Sequence, residues 1–176
     1  MKILIIYGTS EGQTRKIARF MEDVLQEVGH KVVIADSTEE PPAPDAYEMV
    51  LIGSSIHMHK YKNSIRSYIM ENVEELNKKQ TAFFSVCMAV ASDVEEERKD
   101  ADEIARTFLE QAAWKPKEIV QIAGALRFTK YDYFKRLIMR MIANKKGEVV
   151  DTSKDYEYTD WKAVEKFVLE FVNINK

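Results

Sequence analysis

Five short apolar runs punctuate the chain: KILIIY at 2–7, KVVIA at 31–35, MVLIGSSI at 49–56, TAFFSVCMAV at 81–90 and EIVQIAG at 118–124. They are rich in Val, Ile and Phe and continuous rather than alternating in polarity. A strand with one wet face alternates apolar and polar residues, so an unbroken run belongs in a parallel strand covered on both faces. Helical periodicity is predicted between the runs, near 13–28, 62–78 and 94–113, and again at 160–173. Strands alternating with helices build an open, doubly wound α/β sheet. At 176 residues the chain is expected to fold as one domain with a self-sufficient core.

Local signals support these bounds. Gly29 stands where the C-terminal cap of the first helix belongs. Ser92 and Glu95 have the spacing of a capping box ahead of DVEEERKDADEIARTFLEQA. Asp93, Glu95, Glu96 and Glu97 read as helix surface that complements the dipole rather than as metal ligands. EEPPAPDAYE, residues 39–48, reads as a loop in place of a long second helix. The sequence contains no internal repeat and no low-complexity segment.

Hydrophobic residues at 45% and charged residues at 31% are ordinary for a soluble globular protein. Residues 3–6 are too few for the apolar region of a signal peptide, and no apolar stretch approaches the roughly 18 residues of a membrane span. The single cysteine, Cys87, excludes an internal disulfide and fits a reducing cytoplasm. The net charge of −3 is unevenly spread. Residues 127–146 hold seven Lys and Arg against one Asp, a net +6, which leaves −9 for the rest.

In a doubly wound sheet, ligands bind beyond the carboxyl ends of the strands, where strand order reverses. The turn behind the first strand therefore lies at the binding edge. Thr9, Ser10, Gly12, Gln13 and Thr14 offer hydroxyls and a series of backbone N–H groups where a helix begins, a combination suited to a phosphate dianion. The turn lacks the lysine of a nucleotide-triphosphate loop, and GxGxxG does not occur, so a phosphate monoester fits best. Helix capping by Ser10 and Gln13 is the plainer alternative. The third strand ends in GSSIHMHKYKNS and the fourth in SVCMAVASD. One phosphate-type turn and two loops able to flank a planar ring make a flavin mononucleotide (FMN) site. His57 and His59 have no partner cluster and are not read as a metal pair, and Cys87 reads as packing.

The run Thr9-Ser10-Glu11-Gly12-Gln13-Thr14 resembles the flavodoxin fingerprint T-x-T-G-x-T. That resemblance implies a five-stranded parallel sheet in the order 2-1-3-4-5, with the FMN phosphate on residues 9–14. It also implies an isoalloxazine ring held between Ser54, Ser55, Ile56 and His57 on one side and Val86, Cys87, Met88, Ala89 and Val90 on the other. Glu11 departs from the fingerprint; its carboxylate repels a phosphate and is expected to turn away, leaving its N–H. Where electron-carrying flavodoxins commonly stack Trp and Tyr on the ring, the corresponding places here offer Ser55, Ile56 and His57 on one side and Cys87, Met88 and Ala89 on the other. A more open ring face suits a substrate that approaches closely enough to deliver a hydride.

Between the fifth strand and the last helix lie some 35 residues, and long connections in compact domains are often functional. GALRFTKYDYFKRLIMRMIANKK, residues 124–146, has a capping-box-like start at Thr129 and Asp132. Phe134, Leu137, Ile138, Met141 and Ile142 recur on one helical face, with Lys135, Arg136 and Arg140 on the other and Lys145 and Lys146 closing the helix. Two readings stand: a helix packed on the sheet with a solvated basic face, or an interfacial helix or pocket wall for an acidic, apolar molecule. No recognition motif supports nucleic acid as the partner of this patch.

IAGALRF, the aromatics Tyr131, Tyr133 and Phe134, RLIMRMI, YTDW at 158–161, EGQTR and the AWKP at 113–116 are similar to the menaquinone-dependent protoporphyrinogen IX dehydrogenases. The resemblance implies an insertion at 125–158 and oxidation of protoporphyrinogen IX to protoporphyrin IX, a step of haem biosynthesis. Three two-electron steps would pass electrons to a membrane quinone. On this reading Arg127, Lys130, Arg136 and Arg140 pair with the propionates. Tyr131, Tyr133 and Phe134 cover the macrocycle or enter the membrane edge. The expected location is cytoplasmic, peripheral on the cytoplasmic membrane face. The alternatives are a flavodoxin-type electron carrier docking on redox partners, and a binding module without flavin. No residue is assigned as an acid–base catalyst, and the sequence does not give the oligomeric state.

Overall fold

The computed structural model describes residues 1–130, 151 and 153–173. Chain order runs β1 (Lys2–Gly8), α1 (Gln13–Glu27), β2 (Lys31–Asp36), β3 (Met49–Ser55), α2 (Asn63–Leu76), β4 (Gln80–Cys87), α3 (Glu95–Gln111), β5 (Glu118–Ala123), β6 (Ala125–Leu126), β7 (Tyr156–Glu157) and α4 (Trp161–Asn173). The first five strands form one parallel sheet in the order β2-β1-β3-β4-β5. The expected doubly wound α/β architecture and strand order are therefore present.

Continuous apolar runs follow from two-sided burial. Ile3, Ile5, Tyr7, Met49, Leu51, Phe84 and Ile122 face a core closed by Ile17, Met21 and Leu25 of α1 and Val164, Val168 and Phe171 of α4. Their neighbours Leu4, Ile6, Val50, Ile52 and Phe83 face the opposite core, closed by Ile65 and Ile69 of α2 and Phe108 and Leu109 of α3. Period-two alternation here separates one core from another instead of core from water.

Several boundaries differ from expectation. The fourth strand ends at Cys87, and Met88–Ala91 forms a 3-10 turn. Strand β3 offers its last partner position opposite Val86, and β5 its last opposite Cys87, so the ladder has nothing to continue on. The capping box at Ser92 is absent. Helix α3 starts at Glu95 with Val94 as cap, and the Ser92 hydroxyl accepts from Val94 N–H at 3.2 Å instead. The 39–48 loop holds only a 3-10 turn, Pro44–Ala46. Gly29 does close α1: its N–H donates to Gln26 O and that of His30 to Leu25 O, both at 3.0 Å, the paired bonds of a Schellman cap.

After β5 the chain forms an antiparallel pair that sequence periodicity did not indicate, Ala125–Leu126 against Tyr156–Glu157. This pair brackets residues 131–150. The expected basic helix, with Tyr131, Tyr133, Phe134, Arg136 and Arg140, lies outside the described residues, as does Asp132. Thr129, expected to begin that helix, instead donates its N–H and hydroxyl to the Asp155 carboxylate at 3.0 and 2.9 Å.

Candidate functional site

The carboxyl ends of β1, β3, β4 and β5 open on a cleft of about 230 Å³. The β1–α1 turn forms its floor. Gly12 sits at φ 95° as the N-cap of α1, where a Cβ is disfavoured, and its N–H donates to Thr9 Oγ1 at 2.9 Å. No side chain caps the helix, so the plain capping role for Ser10 and Gln13 is not met. Thr9, Glu11, Gln13 and Thr14 line the cleft, whereas Ser10 and Gly12 do not. Glu11, expected to turn away, is thus among the lining residues.

Two walls come from the ring loops. Ile56 N–H donates to Val86 O at 3.0 Å, tying the β3 end to the β4 end. Ser55, Ile56 and His57 line one side and Val86, Cys87 and Met88 the other. Ser54 is buried behind them, its hydroxyl accepting from Lys62 N–H at 3.3 Å. Ala89 and Val90 lie beyond the cleft in the 3-10 turn. His57 and Lys60 exchange backbone hydrogen bonds at 2.9 and 3.0 Å across a two-residue turn. Both its residues, Met58 and His59, have positive φ, which leaves Met58 91% exposed at the rim. Burial pushes the Cys87 thiol up, against backbone hydrogen bonds at Val90 and Ala89 that pull it down, so it stays protonated near neutrality.

Sequence reasoning missed the third wall. Gly124, Ala125 and Leu126 line the cleft as well, because β5 lies beside β4 at the same sheet edge; Gly124 N–H donates to Cys87 O at 3.3 Å. The available signal was the glycine ending the fifth run. Met58 was also missed, since an exposed methionine in a loop carries no pattern.

The donors fit an oxygen-rich ligand. Thr14 is fully buried, and both its Oγ1 and the Ser55 Oγ lack a hydrogen-bond partner. A buried hydroxyl without a partner costs about 1–3 kcal/mol, so two of them lining one cleft mark places where a ligand completes the bonding. Among the described lining residues there is no Phe, Tyr or Trp. This set fits FMN: phosphate donors at the turn, and apolar walls with backbone groups for a ring.

Arg127 is not among the lining residues of the cleft but bonds to one of them. Its Nη2 donates to Gln13 Oε1 at 2.7 Å, and the guanidinium stands 3.6 Å from both Asp155 and Glu157. The backbone N–H of Thr129, then its hydroxyl and the Arg127 charge, hold Asp155 below the ordinary carboxylate value despite some desolvation. Burial opposes ionisation of Glu157, but hydrogen bonds from Lys16, Trp161 and Gln13 outweigh it and its pKa is lowered. Lys130 ends the 3-10 turn Phe128–Lys130.

The profile of the family described as Flavodoxin domain matches residues 4–153. Protoporphyrinogen IX dehydrogenase (quinone) of Escherichia coli strain K12 is 34% identical over 99% of this chain and 96% of its own length. The protein of that name from Leishmania major is 32% identical over 97% of this chain and 74% of its own. Among solved structures, oxidised flavodoxin 1 of Bacillus cereus matches with a TM-score of 0.61 at 14% identity, covering 100% of both chains. Oxidised flavodoxin 2 of the same organism gives 0.58 at 18%, covering 98% of this chain and 99% of its own. These two carry the fold alone.

Proposed function

Since this chain belongs to the flavodoxin-domain family, we propose that it is an FMN-dependent oxidoreductase that oxidises protoporphyrinogen IX to protoporphyrin IX and passes the electrons to a quinone. The observation that carries this reading is the full-length likeness, 34% over 99% of the chain, to a relative named for that reaction. The cleft supports it independently through the orphaned hydroxyls of Thr14 and Ser55.

FMN supplies the electron acceptor when bound. Backbone N–H groups of the turn at 9–14 other than Gly12, whose N–H is held by Thr9 Oγ1, and the Thr14 hydroxyl would hold its phosphate, aided by the start of α1. Ile56 and His57 flank the ring on one side and Val86, Cys87 and Met88 on the other. With no bulky aromatic among the described lining residues, a flat macrocycle has room to approach. Cationic Lys130, Arg136 and Arg140 pair with its propionates. Residues 125–158 form the insertion that meets the cytoplasmic membrane face, where a quinone dissolves, with Tyr131, Tyr133 and Phe134 toward the macrocycle or the lipid. Among the described residues no helix is long and apolar enough to cross a membrane, so contact at the surface is the mode that fits.

The test mixes FMN-loaded protein with protoporphyrinogen IX anaerobically. Flavin absorbance is expected to bleach, then return on addition of a menaquinone analogue as porphyrin fluorescence appears. Bound FMN that ignores the porphyrinogen refutes the substrate and leaves an electron carrier. Replacing Arg136 and Arg140 by Glu is expected to abolish turnover with vesicle-borne quinone while FMN stays bound; unchanged turnover removes the membrane part.

A further inference from the structure

Gln13 is the first residue of α1, directly behind the turn assigned to the phosphate, yet its amide reaches elsewhere. Its Oε1 accepts from Arg127 at 2.7 Å, and its Nε2 donates to Thr159 Oγ1 at 2.9 Å. Thr159 passes the connection on, donating to Ala123 O at the end of β5 at 2.7 Å. Arg127 follows β6, and Thr159 lies just after β7. One buried side chain thus holds both strands that bracket residues 131–150.

The chemistry of the bridge makes it conditional. Gln13 is 5% exposed, and a buried amide without partners forfeits its hydration with nothing in return. Its carbonyl and N–H are both satisfied only when the β6–β7 pair is docked. The Arg127 guanidinium is bound closely by this neutral amide, while Asp155 and Glu157 stand 3.6 Å away, longer than the usual 2.7–2.9 Å of a charge-assisted bond. The Arg127 Nε is buried without a partner. Gln13 therefore helps seat the pair, alongside the Lys16–Glu157 ion pair at 2.7 Å from the same helix and the Tyr158 N–H on Gly124 O at 3.1 Å.

We infer that Gln13, Thr159 and Arg127 are positioning residues that couple occupancy of the cofactor turn to the placement of the β6–β7 base. The inference rests on the FMN reading above. A ligand that fixes the backbone of residues 9–14 fixes Gln13, and Gln13 fixes both strands. Linkage makes the effect reciprocal: whatever loosens the base weakens the cofactor by the same factor.

Thr159→Val tests this without altering charge and without touching the cleft lining. Two measurements are made: the FMN dissociation constant, and amide hydrogen exchange of the wild-type protein with and without FMN. Thr159→Val is expected to weaken FMN about 5-fold or more, within the usual range of coupling between sites, and Thr159→Ser to restore it. FMN loading of the wild type is expected to slow exchange at 127–129 and 155–159, outside the cleft lining. Equal FMN affinity in Thr159→Val, or exchange at those amides unmoved by FMN, overturns the inference. If Thr159→Val does not fold, the wild-type exchange experiment decides alone. A wild-type protein that binds no FMN overturns the cofactor reading and the coupling with it. One that binds FMN without coupling overturns only the second.

Discussion

Replacing Thr14 by Val separates a ligand-binding hydroxyl from a structural one, because the two predict opposite signs. Thr14 is fully buried in the first turn of α1, and its hydroxyl has no partner. Valine has the same shape and the same branching at Cβ, so rotamer and helix effects are small. The substitution relieves an unpaired hydroxyl, worth about 1–3 kcal/mol, and buries a methyl worth roughly 0.8 kcal/mol. The cofactor-free protein is therefore expected to gain about 1–2 kcal/mol, after allowance for partial relaxation. At about 2–4 °C per kcal/mol for a chain of this size, Tm rises by roughly 2–8 °C. FMN binding moves the other way. A hydrogen bond to a charged phosphate is worth about 1.5–3 kcal/mol, so affinity falls about 10- to 150-fold. Calorimetry of the cofactor-free form and a flavin-fluorescence titration read the two quantities, with Thr14→Ser as the control that keeps the hydroxyl. A variant that melts lower than wild type, or that binds FMN within about threefold of it, refutes the assignment.

Two further outcomes are expected. A Cβ added at Gly53 would lie 1.9–2.4 Å from the Phe84 ring, which is fully buried opposite it on β4. Gly53→Ala should therefore destabilise by at least about 2 kcal/mol, read as a lower denaturant midpoint; an unchanged midpoint would show that the ring yields freely. The lowered pKa values of Asp155 and Glu157 set a pH dependence with a definite sign. Their stabilisation of the β6–β7 base is complete above the unfolded-state carboxylate value, about 4. It is lost as pH falls below that value through the folded ones. Emission of Trp161, whose indole N–H donates to Glu157 at 3.0 Å, should be flat from about pH 5 to 8 and change only in acid; a midpoint within that flat range contradicts the account. Trp114→Phe provides the clean background.

What could be read from the chain alone was whatever nearest neighbours dictate. Unbroken runs such as KILIIY and MVLIGSS must be covered on both faces, and α1 repeats its apolar residues at Ile17, Met21, Val24 and Leu25. Sheet, helices and the turn at 9–14 follow from spacings of two to four residues along one strand or helix. The cleft's third wall, the early end of β4 and the anchoring of Arg127 followed only from the assembled fold. Gln13 meets Thr159 across 146 positions of sequence and Arg127 across 114. No local propensity encodes such a bond. The basic patch at 127–146 looked uniform as a string of charges. Only β6 pairing with β7 brought Arg127 onto Gln13 Oε1 at 2.7 Å and within 3.6 Å of both Asp155 and Glu157, because an antiparallel pair sets side chains from distant stretches of chain next to one another.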